Sequence, residues 1–159
     1  MDDYQLRPVE PKDLERVLGI ISRTDETDED EARNFFKACF DGDMSTCVEN
    51  RHFVIESEDD LVAVGGYIVT DSPESYWLGF LHVDPYFQGQ GIGTILVKKI
   101  LKELKKRGAE QVHVALEGDD IPTQVFKFYE VNGFCRIQSD LIPPVMNKPD
   151  TIIYQKKIS

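Results

Sequence analysis

The residues from Val83 to Gly93, Val-Asp-Pro-Tyr-Phe-Gln-Gly-Gln-Gly-Ile-Gly, carry an apolar stretch into the start of a helical one through three glycines in five positions. Glycine accepts the left-handed backbone that curls successive amides inward, and a helix beginning there adds a partial positive charge. Gln88, Gly89, Gln90, Gly91, Ile92, Gly93 and Thr94 can therefore hold a phosphate or pyrophosphate without any basic side chain. The spacing is G-x-G-x-G, whereas a dinucleotide fingerprint needs its third glycine where Thr94 stands, and no G-x-x-x-x-G-K-[S/T] occurs. His82 is the next residue equipped for chemistry, since an imidazole titrates near pH ~6.5 without tuning. Strand alternation sets it on the face opposite Leu81 and Val83 without saying which face meets a ligand. Cys39, Cys47 and Cys135 are odd in number and lack metal-ligand spacing, which points to buried or inert thiols in a reducing compartment and to no metal site.

The elements that must position this loop are legible on both sides. Tyr76 to Val83 is rich in aromatic and aliphatic residues and stops at Asp84-Pro85, which predicts a buried strand. Ile92, Ile95, Leu96, Ile100, Leu101 and Leu104 recur at helical spacing, with Lys98, Lys99, Lys102, Lys105 and Lys106 on a solvated face and Gly108 as the stop. Gln111 to Glu117 alternates as a strand and breaks at Gly118-Asp119-Asp120. A helix follows from about Pro122 to Asn132, carrying Val125, Phe126, Phe128, Tyr129 and Val131, and Phe134 begins another strand after Asn132-Gly133.

Two motifs in this order resemble the GNAT superfamily of acyl-CoA N-acyltransferases. Gln88, Gly91 and Gly93 match the fixed positions of its [Q/R]-x-x-G-x-[G/A] loop, and Tyr129-Glu130-Val131-Asn132-Gly133-Phe134 resembles its Y-E-x-x-G-F helix ending. The likeness extends to Leu6-Arg7-Pro8 and Asp13-Leu14 as first strand and first helix. It also covers a hairpin of Phe53 to Glu56 with Leu61 to Val69, and Thr151 to Lys156 as closing strand. The resemblance implies an α/β (α+β) fold. Its mixed, largely antiparallel sheet of about six to seven strands carries helices on both faces, and its fourth and fifth strands splay apart to admit a pantetheine arm.

The chain's 159 residues suffice for one core, with no repeat or low-complexity linker, so a single domain over 1–159 is expected. No apolar run is long enough to span a bilayer, and Met1-Asp2-Asp3 does not open a signal peptide, so the expectation is a cytoplasmic protein without a membrane partner. A net charge of −11 argues against a nucleic-acid partner. It does not exclude coenzyme A, which would be held by local backbone dipoles. Asp25 to Glu31 holds six carboxylates in seven positions. They would attract a cationic amine or, on the blander reading, complement the start of the helix holding Phe35, Phe36 and Phe40.

The resemblance further implies acetyl-CoA as cosubstrate and transfer of its acetyl group to a primary amine by direct attack in a ternary complex. The amine would be a small molecule, a polyamine, a lysine or a protein N-terminus; a silent acyl-CoA-binding regulator of the same fold is the alternative. It assigns Tyr129 as the acid that protonates the thiolate. Glu117, twelve residues before it, matches the base of the subfamily acting on protein N-termini. His82 or a water chain competes for the base role, and Leu81, His82 and Val83 would pair with pantetheine as an added strand. Pro122 departs from the pattern, standing where many members carry an asparagine. Ser139 to Asp150, with three prolines, reads as a lid or a rigid surface loop. A homodimer is compatible with the family.

Overall fold

The computed structural model describes residues 4–24, 29–41, 49–69, 76–116, 121–138 and 151–158. In chain order the elements are β1 (Tyr4–Pro8), α1 (Leu14–Thr24), α2 (Glu29–Phe40), β2 (Glu49–Ser57), β3 (Asp60–Val69), β4 (Tyr76–Val83), α3 (Ile92–Lys106), β5 (Gln111–Leu116), α4 (Thr123–Val131), β6 (Cys135–Ile137) and β7 (Ile152–Lys157). They form one seven-stranded sheet in the order β1-β2-β3-β4-β5-β7-β6. Every pairing is antiparallel except that of β4 with β5.

Alternation along the strands gives the sheet two buried faces. On one, Phe53, Ile55, Ala63, Tyr67, Leu78 and Val112 pack under Ile92, Leu96, Ile100 and Leu104 of α3 and Tyr129 of α4. On the other, Val54 and Val64 pack under Val17, Leu18 and Ile21 of α1 and Ala32 and Phe36 of α2. The lysines of α3 expected on a solvated face are exposed there.

Helix ends are set by local chemistry. Gly108 (φ 87°) and Gly133 (φ 91°) each follow a helix in the left-handed conformation. Behind α3, Gly108 N–H donates to Lys105 O and Ala109 N–H to Leu104 O; behind α4, Gly133 N–H donates to Glu130 O and Phe134 N–H to Tyr129 O. Both are Schellman closures, and the second brings Phe134 onto the Tyr129 ring at 5.5 Å between centroids. The Tyr-to-Gly-Phe ending noticed in the sequence is thus a stop signal whose apolar contact fixes Tyr129 in the core.

The β3–β4 ladder slips by one residue between Val64 and Gly66, where Phe80 and Leu81 stand opposite Gly65 alone. Phe80 takes a positive φ of 47°, so this is a β-bulge. Gly65 makes the room: a Cβ on it would meet the Leu81 side chain at 2.6 Å, while one on its neighbour Gly66 would strike Arg51 O of β2.

Candidate active site

β4 and β5 pair only at Tyr76↔Val112 and Trp77↔His113. Beyond those residues the strands part, and among the described residues no strand pairs with the rest of β4 on the β5 side. Asp84 N–H donates to Val62 O at 2.8 Å. By ladder alternation, Asp84 and His82 therefore turn their backbone groups to β3, while Leu81 and Val83 turn theirs into the gap. An extended chain laid in the gap would meet the backbone of Leu81 and Val83. His82 offers its ring on the other face instead. The Val83 carbonyl in the gap already accepts from Gln88 Nε2 at 3.0 Å, which ties the loop to the strand end.

The glycine loop opens directly beside this gap. Gly89 (φ 83°) and Gly91 (φ 81°) are left-handed and exposed, and a Cβ on either would meet nothing within 4 Å. Gly91 is the N-cap of α3 and supplies no side-chain cap. The first intrahelical bond runs from Ile95 N–H to Gly91 O at 3.0 Å, so the amides of Ile92, Gly93 and Thr94 have no acceptor inside the helix. A phosphate supplies what those donors lack, and the open space over the two glycines admits it. Gly93 has a different reason to be glycine: its Cβ would meet the Phe128 ring at 3.0 Å, so here α4 packs against α3. Ile92 buries its side chain, Gln90 Oε1 accepts from the Tyr4 hydroxyl at 3.0 Å, and Thr94 Oγ1 lies 3.4 Å from Asn132 Nδ2. Apart from their amides, these residues hold the loop against its surroundings.

Tyr129 is 5% exposed, with its ring against Phe128, Phe134 and Tyr154. No hydrogen bond joins its hydroxyl to another described residue, and burial raises its pKa above that of an ordinary phenol. It stays protonated at neutral pH, as a proton donor must. Glu117 lies outside the described residues, as do Asp25 to Asp28, Cys47 and Ser139 to Asp150. Glu29, Asp30 and Glu31 of the acidic run form the first turn of α2, where they complement the helix dipole. Pro122 is the N-cap of α4. Of the thiols expected to be buried or inert, Cys39 is half-buried but Cys135 is exposed, because its edge strand β6 pairs only with β7.

The three histidines have different fates. His52 sits among Phe35, Phe36 and Phe80, and its burial pulls its pKa down to about 3, an effect the nearby Gly79 backbone offsets only a little. His113 packs on Trp77 and bonds Gln155 through Nε2 at 3.1 Å. His82 projects from β4 toward α1, with Nδ1 2.6 Å from Thr24 Oγ1. Thr24, Ser22 and Arg23 of α1, Glu29 of α2 and Pro85 line an open groove of 770 Å³. Arg23 is held there by Asp84 at 2.5 Å. Sequence reasoning missed Thr24 and the bulge. The adjacent glycines Gly65-Gly66 inside a strand were the available sign of the bulge, while nothing local marks Thr24.

A parallel strand pair that opens beside a glycine-capped helix start is the arrangement that the GNAT resemblance implies. The family model described as Acetyltransferase (GNAT) family matches residues 15–134, and the chain belongs to that family. A mycothiol acetyltransferase of Saccharomonospora viridis is 39% identical over 59 residues, which are 37% of this chain; the match spans 19% of that relative's length. Among solved structures, a protein assigned to the GNAT family from Desulfovibrio desulfuricans superposes with a TM-score of 0.81 at 20% identity, covering 98% of this chain and 99% of the other. The PaiA N-acetyltransferase of Thermoplasma acidophilum, solved with coenzyme A, gives a TM-score of 0.76 at 17% identity, covering 97% and 98%. These neighbours share the fold. Among the described residues no helix is long and apolar enough to cross a membrane, and no cluster of three or more His, Cys, Asp or Glu could hold a metal.

Proposed function

We propose that this protein transfers an acetyl group from acetyl-CoA to a primary amine by direct attack. The observation that carries the reading is the unpaired β4 edge opening beside the amides of Ile92, Gly93 and Thr94. The loop amides would hold the diphosphate, and Leu81 and Val83 would pair with the pantetheine arm. The cosubstrate supplies a thioester carbon that an amine nitrogen can attack.

Two proton transfers are left to the chain. The amine must lose a proton as its nitrogen bonds the carbonyl carbon, because an ammonium of pKa ~10.4 is free base in about one molecule in 10³ at neutral pH. The leaving sulfur must gain one as the C–S bond breaks. Tyr129 is the donor in this reading, since its hydroxyl is protonated and lies on α4, the helix that packs against α3 through Phe128 and Gly93. The base is Glu117 on the strength of the family likeness, with His82 the described residue whose ring faces the α1 side.

Thermal melting with acetyl-CoA, and with NADH and ATP as controls, tests the cosubstrate. Ligand at 100 times its dissociation constant adds about 2.7 kcal/mol. A shift selective for acetyl-CoA leads to turnover assays with polyamines, amino acids and peptide N-termini. A cooperative melt with no shift sinks the proposal. A selective shift with no turnover leaves a silent acyl-CoA-binding relative.

A further inference from the structure

We infer that Tyr4 is a positioning residue for the cosubstrate: the bond between its hydroxyl and Gln90 holds the glycine loop in the form that presents its amides to a diphosphate. This rests on the acetyl-CoA reading above. Before the loop, Phe87 N–H donates to Asp84 O at 2.8 Å and Gln88 Nε2 to Val83 O at 3.0 Å. After it, α3 begins with the bond from Ile95 N–H to Gly91 O. Between these anchors the backbone of Gly89 and Gln90 makes no hydrogen bond to a described residue. The left-handed glycines on either side of Gln90 are exposed, with open space where a Cβ would stand, and glycine backbone is the least restrained of all. The Tyr4 hydroxyl, 3.0 Å from Gln90 Oε1, supplies the one hydrogen bond to this stretch among the described residues.

The sheet makes Tyr4 a fixed post. Leu6 stands opposite Ile55, Ile55 opposite Ala63 and Ala63 opposite Val83, so Leu6 and Val83 share one level of the sheet. Tyr4, opposite Ser57, lies two residues further toward the end where β4 gives way to the loop. Alternation sets Tyr4 on the same face as Leu6, and both pack on the core beneath α3. A ring held in this way carries its hydroxyl to a residue 86 positions away. Order that the loop would otherwise have to acquire on binding is then present in advance, and the apparent affinity rises with the fraction of chains that hold it. One exposed hydrogen bond changes such a fraction by about 2- to 10-fold.

The test is calorimetric titration of the full chain with acetyl-CoA, together with hydrogen exchange of the loop amides in the ligand-free protein. Tyr4→Phe keeps the ring and removes the hydroxyl. It should raise the Kd about 2- to 10-fold and speed exchange at Gly89 to Gly93, while the ligand-free melt stays where it was. Gln90→Met removes the acceptor from the exposed loop without touching β1, and it should weaken binding to the same degree. The double variant should bind no more weakly than either single one, because both remove the same bond. Wild-type affinity in Tyr4→Phe, unaltered loop exchange in both variants, or losses that multiply in the double variant overturns the inference. Should Tyr4→Phe lower the ligand-free melt, Gln90→Met decides, and an unchanged Kd there overturns it. A wild-type chain that takes up no acetyl-CoA overturns the cosubstrate reading itself.

Discussion

Replacing Tyr129 by Phe should raise stability or leave it unchanged while removing turnover. Few substitutions of a buried residue are expected to do both. The ring's contacts with Phe128, Phe134 and Tyr154, at centroid distances of 5.1, 5.5 and 6.4 Å, are all available to Phe. What is lost is a hydroxyl that bonds to no described residue. A hydroxyl without a partner costs up to about 1–3 kcal/mol where it is also cut off from water and nothing where water reaches it, and its removal orphans no described acceptor. At ~2–4 °C per kcal/mol for a chain of this size, the melting temperature should hold or rise by up to about 5 °C. Loss of the proton donor should lower acetyl transfer by about 10²–10⁴-fold, or roughly 2.7–5.5 kcal/mol of transition-state stabilisation. Calorimetry gives the first quantity, and thiol release from acetyl-CoA in the presence of an accepted amine gives the second. Because burial raises the folded-state pKa, the tyrosine's stability contribution is fully present below ~10, its unfolded value, and is lost as pH rises further. The Phe variant should lack that alkaline limb. A variant that transfers acetyl at the wild-type rate removes Tyr129 from the chemistry, and one destabilised by more than ~1 kcal/mol shows that the hydroxyl is structural.

Three further substitutions probe the frame around the site. Gly91→Ala forces an L-residue to φ 81° at a cost of about 1–2 kcal/mol and puts a methyl in the space left for the phosphate. Chemical denaturation should show the first effect, and a reduced acetyl-CoA melting shift the second. His52 is buried in its neutral form, with its folded pKa near 3, so its stability is fully present well above ~6.5 and drains away as pH falls below that value. Urea midpoints should record a loss of ~2 kcal/mol by pH 5 that His52→Leu abolishes. In Arg7→Met, the Asp13 carboxylate, 2% exposed and gripped by Arg7 at 2.7 and 2.8 Å, keeps its burial and its bond from Glu10 N–H but loses its charged partner. The expected cost is about 3 kcal/mol by equilibrium unfolding at pH 7, and a variant within 0.5 kcal/mol of wild type would contradict it.

Most of the fold was legible because its signals are local. The apolar spacing of α3, the stop at Gly108 and the Asp84-Pro85 end of β4 each depend on a few neighbouring residues, and each lies where the sequence places it. The site was legible only in part. Gly89 and Gly91 answer to backbone geometry, which sequence reveals well, but Gly93 is set by Phe128, which lies 35 positions away and belongs to another helix. The contact of Thr24 with His82 joins residues 58 apart, and neither side chain is unusual in its own segment. Sequence also could not place a bulky Phe80 at positive φ, since intrinsic preference opposes it and only tertiary packing sustains it.

That bulge decides which chemistry β4 presents. Without it, alternation from Tyr76 and Leu78, which face α3 and α4, would carry Phe80 and His82 to the same face and turn Leu81 toward α1 and α2. One inserted residue reverses every later position. Phe80 instead joins the α1 and α2 cluster, Leu81 and Val83 pack with α3, and His82 reaches Thr24. The same slip turns the backbone of Leu81 and Val83 into the gap beside β5. A single irregularity thus gives one strand two different presentations at adjacent residues: a main-chain edge turned toward the gap and, on the opposite face, the His82 ring against Thr24. Gly65 on β3 makes the slip possible, since a Cβ there would strike Leu81, whereas Gly66 answers to the β2 backbone on the other side.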